Sequence, residues 1–240
     1  MSQTRQSAVR NRLLAALPPG DFAALAPALR PVELDFKQTL HRPDRPIEAA
    51  YFVESGMVSM LAPLEEGQTT EVGLIGREGL VGLPVVMGAE SASTEALVQM
   101  PGTALRVPAA ELRAAFEASA ALRAVVLSYA QAHHTQVAQT AACNGQHEVV
   151  ERFARWMLMA HDRAGGDEFP MTQEFVAMML GVRRAGISVA AGVLQKAGAI
   201  RYGYGRVTVL DRAGLEGASC ECYGTVRRQY ERLLGIPAGE

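Results

Sequence analysis

Arg183 and Arg184 stand side by side at the head of a short periodic run. Cations at a helix start oppose the helix dipole at a cost of roughly a few tenths of a kcal/mol each. A phosphate oxygen or a guanine edge therefore accounts for them better than water does. Ser188 adds a hydroxyl to the same side, Thr172 and Gln173 ahead of the run are placed to reach a phosphate, and Arg201 and Arg206 bracket Gly203-Tyr204-Gly205 beyond it. From Met171 to Arg212, six basic residues (Arg183, Arg184, Lys196, Arg201, Arg206, Arg212) face two acidic ones (Glu174, Asp211). That is a local net of +4 in a chain whose formal net charge is -2. Positive charge is gathered where a polyanion would lie.

Two short helices must position these groups. Thr172 is a good N-cap and Glu174 adds negative charge near the positive end of the first helix, whose Phe175, Met178 and Met179 share one face. Gly181 follows where a helix often ends in a left-handed residue. In the second run Ile187, Ala190, Ala191 and Leu194 lie on one side and Arg183, Arg184, Ser188 and Gly192 on the other, until Ala197-Gly198 stops it. Such a pair fits a helix-turn-helix, with small Ala177 allowing close packing. Ordinary helical packing has the same periodicity, and it is the charge that favours a duplex partner. From Ala199 to Leu210 apolar and polar residues alternate around Gly203-Tyr204-Gly205, a hairpin or wing.

The run MTQEFVAMMLGVRRAGISVAAGVLQKAGAI resembles the C-terminal winged helix-turn-helix of the Crp/Fnr family of bacterial transcription regulators, and the match extends to the wing. The resemblance implies a cyclic-nucleotide-binding-like β-roll, then a long dimerisation helix, then this module. It also implies a base-contacting role for Arg184. The family's glutamate one residue later is replaced by Ala185 and a further arginine by Val189, so the operator is expected to differ from the one best known for the family.

With 240 residues, 49% hydrophobic and 20% charged, the chain can bury one large core or two smaller ones, and two domains are expected. No window approaches the roughly 18 consecutive apolar residues of a membrane span, and the N-terminus lacks a signal peptide's apolar core. A cytoplasmic protein without membrane contact is expected. Its three cysteines, Cys143, Cys220 and Cys222, suit a reducing compartment. None lies near the N-terminus, which excludes the family's iron-sulfur sensors, and one CxC without a second pair is weak metal evidence. The cysteines are read as structural or incidental, with no metal. No P-loop, HExxH or nucleophile elbow is present, so no enzyme is expected.

Residues 10–17 and 21–29 read as helices interrupted by Pro18-Pro19-Gly20, with Asp21 capping the second. From Val32 short apolar runs between turn residues indicate strands of a sandwich or barrel. The clearest hairpin reads as Tyr51-Phe52-Val53, a turn at Glu54-Ser55-Gly56, then Met57 to Leu61, and a second pair flanks Glu65-Glu66-Gly67-Gln68. YFVESGMVSML is also similar to the family's β-roll signature. The glycine-rich stretch Gly76 to Pro84 has the permissive backbone of an anion nest. An effector pocket is expected at Gly79, Leu80, Val81, Gly82, Leu83, Ser93 and Thr94. Where the family's cyclic-nucleotide binders carry a glutamate for the ribose and an arginine for the phosphate, this chain has Leu83 and Ser93 or Thr94. No arginine lies between Arg77 and Arg106. Cyclic AMP is therefore not expected as a cofactor, and only a slipped register would bring Arg77 and Glu78 into play.

Residues 108–116 read as one helix, and Ser119 caps a longer one to about Ala142, with Leu122, Val126, Tyr129, His133 and Val137 on one stripe beside Val125 and Ala132. That stripe packs either on the chain's own β-roll or, as the resemblance favours, on a second copy; a two-fold dimer sets two recognition helices about one DNA turn apart. His133 and His134, adjacent on a helix, make a poor chelate. A hinge is expected at Asn144-Gly145, a supporting helix over 147–161, and a helical extension without assigned chemistry over 215–234.

The expected class is α+β: an N-terminal β-roll, a cyclic-nucleotide-binding-like jelly roll, over 1–118; a long dimerisation helix over 119–143; and a C-terminal winged helix-turn-helix with its extension over 144–240. Residues 1–147 carry net -3 and 148–240 net +1. The expected function is sequence-specific transcription regulation. Expected partners are double-stranded DNA with a two-fold palindromic operator, a second copy of the chain, and RNA polymerase. The alternative is a ligand-binding module whose helix-turn-helix serves protein contacts.

Overall fold

Asn11 opens the first helix, α1 (Arg12–Ala15), because its side-chain oxygen accepts from the backbone N–H groups of Leu13 and Leu14. Its Nδ2 donates to the carbonyls of Val53 and Gly79 at 2.9 and 2.8 Å, which ties the N-terminus to the strands that follow. In α2 (Pro19–Leu25) Pro18 precedes the helix and Pro19 fills its first position, where a missing N–H costs nothing. Asp21 is thus not the cap; its carboxylate accepts from Ser119 Oγ at 2.5 Å. The computed structural model describes residues 4–65 and 67–235.

The β-rich half comprises β1 (Arg30–Leu34), β2 (Thr39–His41), β3 (Ala49–Pro63), β4 (Thr69–Ile75), β5 (Leu80–Val81) and β6 (Glu95–Pro108). They pair in the order β1-β6-β3-β4, with β2 on β6 and β5 on β3. The hairpin expected at Glu54-Ser55-Gly56 does not exist. β3 runs through these residues and pairs with β6 from Ala49 to Leu61, its register shifting between Val53 and Val58. Gly56, at φ +82°, forms a bulge, and a Cβ there would lie 2.5 Å from the Met100 carbonyl. A left-handed glycine between apolar runs marks a bulge as readily as a turn. The β3–β4 connection is the second expected hairpin, with Glu66 outside the described residues.

After α3 (Ala109–Ala118), Ser119 Oγ accepts from Leu122 N and starts α4 (Ala120–Gln146). This helix passes through Asn144-Gly145 unbroken. The break between the two long helices falls instead at His147-Glu148, where Glu148 and Glu151 form a capping box for α5 (Val149–Ala164). Of the stripe expected to face a second copy, Leu122, Val126, Tyr129 and Ala132 are buried with the N-terminal helices and the β-roll of the same chain. A Cβ on Gly79 would lie 2.5 Å from the Tyr129 hydroxyl. His133 stacks on Tyr129 against Gly73 while His134 faces solvent. What α4 leaves exposed is the opposite stripe, Ala120, Ala124, Leu127, Gln131, His134 and Ala138, spaced three and four apart.

The C-terminal half adds β7 (Glu168–Pro170), α6 (Gln173–Leu180), α7 (Arg184–Lys196), β8 (Ile200–Gly203), β9 (Arg206–Val209), α8 (Arg212–Ala218) and α9 (Cys222–Leu234). The wing is thus a three-stranded sheet, β7-β9-β8, whose first strand comes from before the helix pair. The expected C-terminal extension is two helices, broken at Ser219–Glu221. α9 folds back on α4, where Gln136 Nε2 donates to the Tyr230 hydroxyl at 2.9 Å. Among the described residues no single helix is long and apolar enough to cross a membrane.

The two halves share a core: Met57, Leu61, Leu74 and Met100 of the β-roll pack with Phe153, Trp156 and Met157 of α5. Trp156 Nε1 donates to Glu71 Oε1 at 2.8 Å, and Ser59 Oγ lies 2.6 Å from Glu71 Oε2 and also against Gln99 Oε1. Burial pushes the Glu71 carboxyl up to about 7, against the opposing hydrogen bonds of Ser59 and Trp156 and the charges of Arg155 and Arg163. The stabilisation is full below the ordinary pKa of about 4.5 and is lost as pH rises through 7, on the order of 3 kcal/mol. Denaturant titrations from pH 4.5 to 8 should show Glu71→Gln gaining on the native chain by that amount as pH rises. A difference independent of pH would refute the assignment.

Candidate nucleic-acid interface

Thr172 Oγ1 accepts from Phe175 N at 3.2 Å and starts α6. Its end is a Schellman motif, with Gly181 at φ +61°, Gly181 N donating to the Met178 carbonyl and Val182 N to that of Ala177. The chain then turns through 108° into α7, inside the range of a helix-turn-helix. Ile187, Ala190, Ala191 and Leu194 are buried, and they fix which side of α7 faces out. That side presents Arg183, Arg184, Ser188, Gly192 and also Val189, which is 67% exposed.

The expected site residues sit as follows. Arg183 is exposed and makes no ion pair among the described residues. Arg184 Nη1 lies 2.9 Å from Glu174 Oε1, a pair whose side chains are 65% and 62% exposed. Ser188 Oγ donates to Gln173 Oε1 at 2.6 Å, so the outer faces of the two helices are already joined. On the wing, Arg201 Nη2 approaches Thr208 Oγ1 at 3.5 Å. Arg206 Nε bonds Glu168 Oε1 at 2.6 Å, and that hydrogen bond and charge hold the Glu168 carboxyl below its ordinary range.

Sequence reasoning did not single out Gln195, Tyr202 or Tyr204. With Thr172, Gln173, Glu174 and Arg184 they line one open cleft between the start of α6 and the wing. Gln195 Oε1 accepts from Tyr202 N at 2.9 Å. The Tyr202 hydroxyl is buried without a partner among the described residues, and burial, then Glu174, pushes its pKa up to about 12. Tyr204 and Gly205, at φ +52° and +71°, make the left-handed pair of a tight hairpin turn, with Tyr204 fully exposed at its tip. An aromatic residue between two glycines was the available signal.

The residues expected at an effector pocket sit as follows. Leu80 and Val81 form β5 against Phe52 and Tyr51 with their side chains fully buried. Gly79 lies under Tyr129, and Gly82, at φ +104°, starts a 3-10 turn over Leu83–Val86. Ser93 is exposed and Thr94 half-buried just before β6, beside His41. Glu78, named with Arg77 for a slipped register, is engaged by Arg163 of α5 and by Gly76 N. These side chains bring no cation toward a phosphate.

Residues 31–119 match the family described as "Cyclic nucleotide-binding domain", and residues 151–218 the "Crp-like helix-turn-helix domain". No curated protein sequence matches the chain. Among solved structures it is similar to a putative transcriptional regulator of the Crp/Fnr family from Eubacterium rectale, at 18% identity and TM-score 0.67, over 86% of this chain and 96% of that one. It is similar also to FixK2 from Bradyrhizobium japonicum, at 15% identity and TM-score 0.67, over 80% of this chain and 98% of that one. A third is the c-di-GMP responsive global regulator CLP of Xanthomonas campestris, at 15% and 0.64, over 80% and 99%. At these identities the structures speak for the fold.

Proposed function

We propose, starting from the premise that the chain belongs to the Crp/Fnr family of transcription regulators, that it reads one specific double-stranded operator through α7. The observation that carries this reading is the outward display of Arg183, Arg184, Ser188 and Val189 on a helix whose other side is sealed into the core. Arg184 suits guanine O6 and N7, and Val189 suits a thymine methyl. Thr172 and Gln173 line the cleft in which a phosphate fits, with Arg201 and Arg206 beside the same strand from the wing.

The loop before β6 offers no charged partner for a cyclic phosphate, which forfeits hydrogen bonds worth roughly 1.5–3 kcal/mol each. Cyclic AMP is left out of the proposal. The dimer face is the exposed α4 stripe around Leu127 rather than the stripe packed on the β-roll. Leu127→Glu sets two like charges at that seam, and sedimentation should then report a monomer whose affinity for a palindromic operator falls at least tenfold. An unchanged dimer would refute that face.

The test of the function is selection of bound duplexes from a random pool by the full chain, followed by binding at several salt concentrations. A two-fold consensus is expected. Two arginines per protomer at the backbone, Arg201 and Arg206, correspond to a slope of log affinity against log salt of roughly -4 for a dimer. Binding that ignores salt, or selects no sequence, would overturn the reading.

A further inference from the structure

We propose that Cys143, His147, Cys220 and Cys222 bind one zinc ion that fastens the two ends of the DNA-binding unit together. The chain folds these residues, up to 79 positions apart in number, into one cluster whose four ligand atoms all lie within 4.8 Å of one another. Cys143 Sγ is 3.5 Å from Cys220 Sγ, and Cys222 Sγ is 3.5 Å from His147 Nδ1. Tetrahedral zinc with bonds of about 2.3 Å to sulfur sets its ligand sulfurs about 3.8 Å apart. The spacing needs only side-chain adjustment. All three cysteines are buried and form a small core of their own.

A packed trio of thiols does not by itself distinguish a metal site from an apolar cluster, but the surrounding groups do. His147 turns Nδ1 to the sulfurs while its Nε2 lies 3.3 Å from Glu221 Oε2, the carboxylate-histidine arrangement that orients a metal-bound imidazole. Gln139 Nε2 donates to Cys222 Sγ at 3.1 Å, a bond suited to a ligand thiolate. Three soft sulfurs and one imidazole select zinc over oxygen-seeking cations. Four protein ligands leave no open position, which makes the site structural rather than catalytic.

The placement says what the ion does. Cys143 lies in the last turn of α4 and His147 at the break before α5, whereas Cys220 and Cys222 span the α8–α9 turn. Everything between His147 and Cys220 is the helix-turn-helix unit with its wing. One ion therefore ties both ends of that unit to the end of the long helix.

The test uses the reduced full-length chain, stripped with a chelator and dialysed against zinc chloride, with bound metal measured by mass spectrometry. One zinc per chain is expected, the three thiols should become unreactive, and cobalt in its place should give the intense visible bands of a tetrahedral thiolate site. His147→Ala and Cys222→Ser should each lower bound zinc at least tenfold; circular dichroism checks that they fold, and the native-chain readings stand if they do not. Sub-stoichiometric zinc in the native chain, the weak bands of six-coordinate cobalt, iron as the ion retained on purification, or a Cys143–Cys220 disulfide in place of metal would each overturn the proposal.

Discussion

Replacing Arg184 with alanine should lower affinity for the selected operator by at least tenfold, while affinity for a scrambled duplex changes no more than about threefold. A bidentate arginine–guanine contact discriminates by roughly 1–3 kcal/mol per half-site, and a dimer makes it twice. In the free protein Arg184 is held by Glu174 at 2.9 Å, but both side chains are about two-thirds exposed. Such a pair is worth at most about 1 kcal/mol, so DNA displaces it readily, and Glu174→Gln should raise affinity for both sequences a few-fold. Arg206→Ala is the contrasting variant. Its guanidinium lies on the wing beside Glu168 and is assigned to the backbone, so both duplexes should weaken alike and the salt dependence should become shallower. Equal losses on both duplexes from Arg184→Ala would remove it from base recognition.

The parts of this interface that were legible in the sequence are the local ones. Thr172 caps α6, Gly181 closes it and Ala197-Gly198 ends α7, because a helix terminus is decided within one turn of chain. The spacing of Ile187, Ala190, Ala191 and Leu194 sufficed to aim Arg184 outward, since a single helix has one buried side. Where the outcome depended on distant partners, the same rules misled. α4 carries apolar or small residues on both stripes, Leu127 with Ala120, Ala124 and Ala138 on the exposed one, and periodicity alone does not say which of them meets the β-roll. Gly56 had the surroundings of a turn until β6 was laid beside it. The thiols of Cys143 and Cys220, 77 residues apart, meet only because α9 doubles back on α4. Pro170 in β7 sits on a three-residue strand too short to announce itself by alternation.

The ion pair between Glu78 and Arg163 belongs to the same hidden class, and it carries the largest expected effect on stability. Arg163 Nη2 and Nε both reach Glu78 Oε1, at 2.5 and 2.9 Å, with side chains only 9% and 11% exposed. Glu78 also accepts from Gly76 N, and Arg163 Nη1 donates to the Met159 carbonyl, so each charge is hydrogen-bonded beyond its partner. The bond joins the glycine-rich loop of the β-roll to α5 of the DNA-binding half. Arg163→Met leaves the carboxylate buried without its cation, a loss of roughly 3–5 kcal/mol. In a chain of this size that is a fall in Tm of roughly 10 °C. Adding Glu78→Gln should recover most of the loss, because the penalty lies in the unpaired charge and not in the missing contact. Two-state denaturation of the two single variants and the double variant closes the cycle. An Arg163→Met chain within 1 kcal/mol of the native one would mean that water, not Arg163, compensates Glu78.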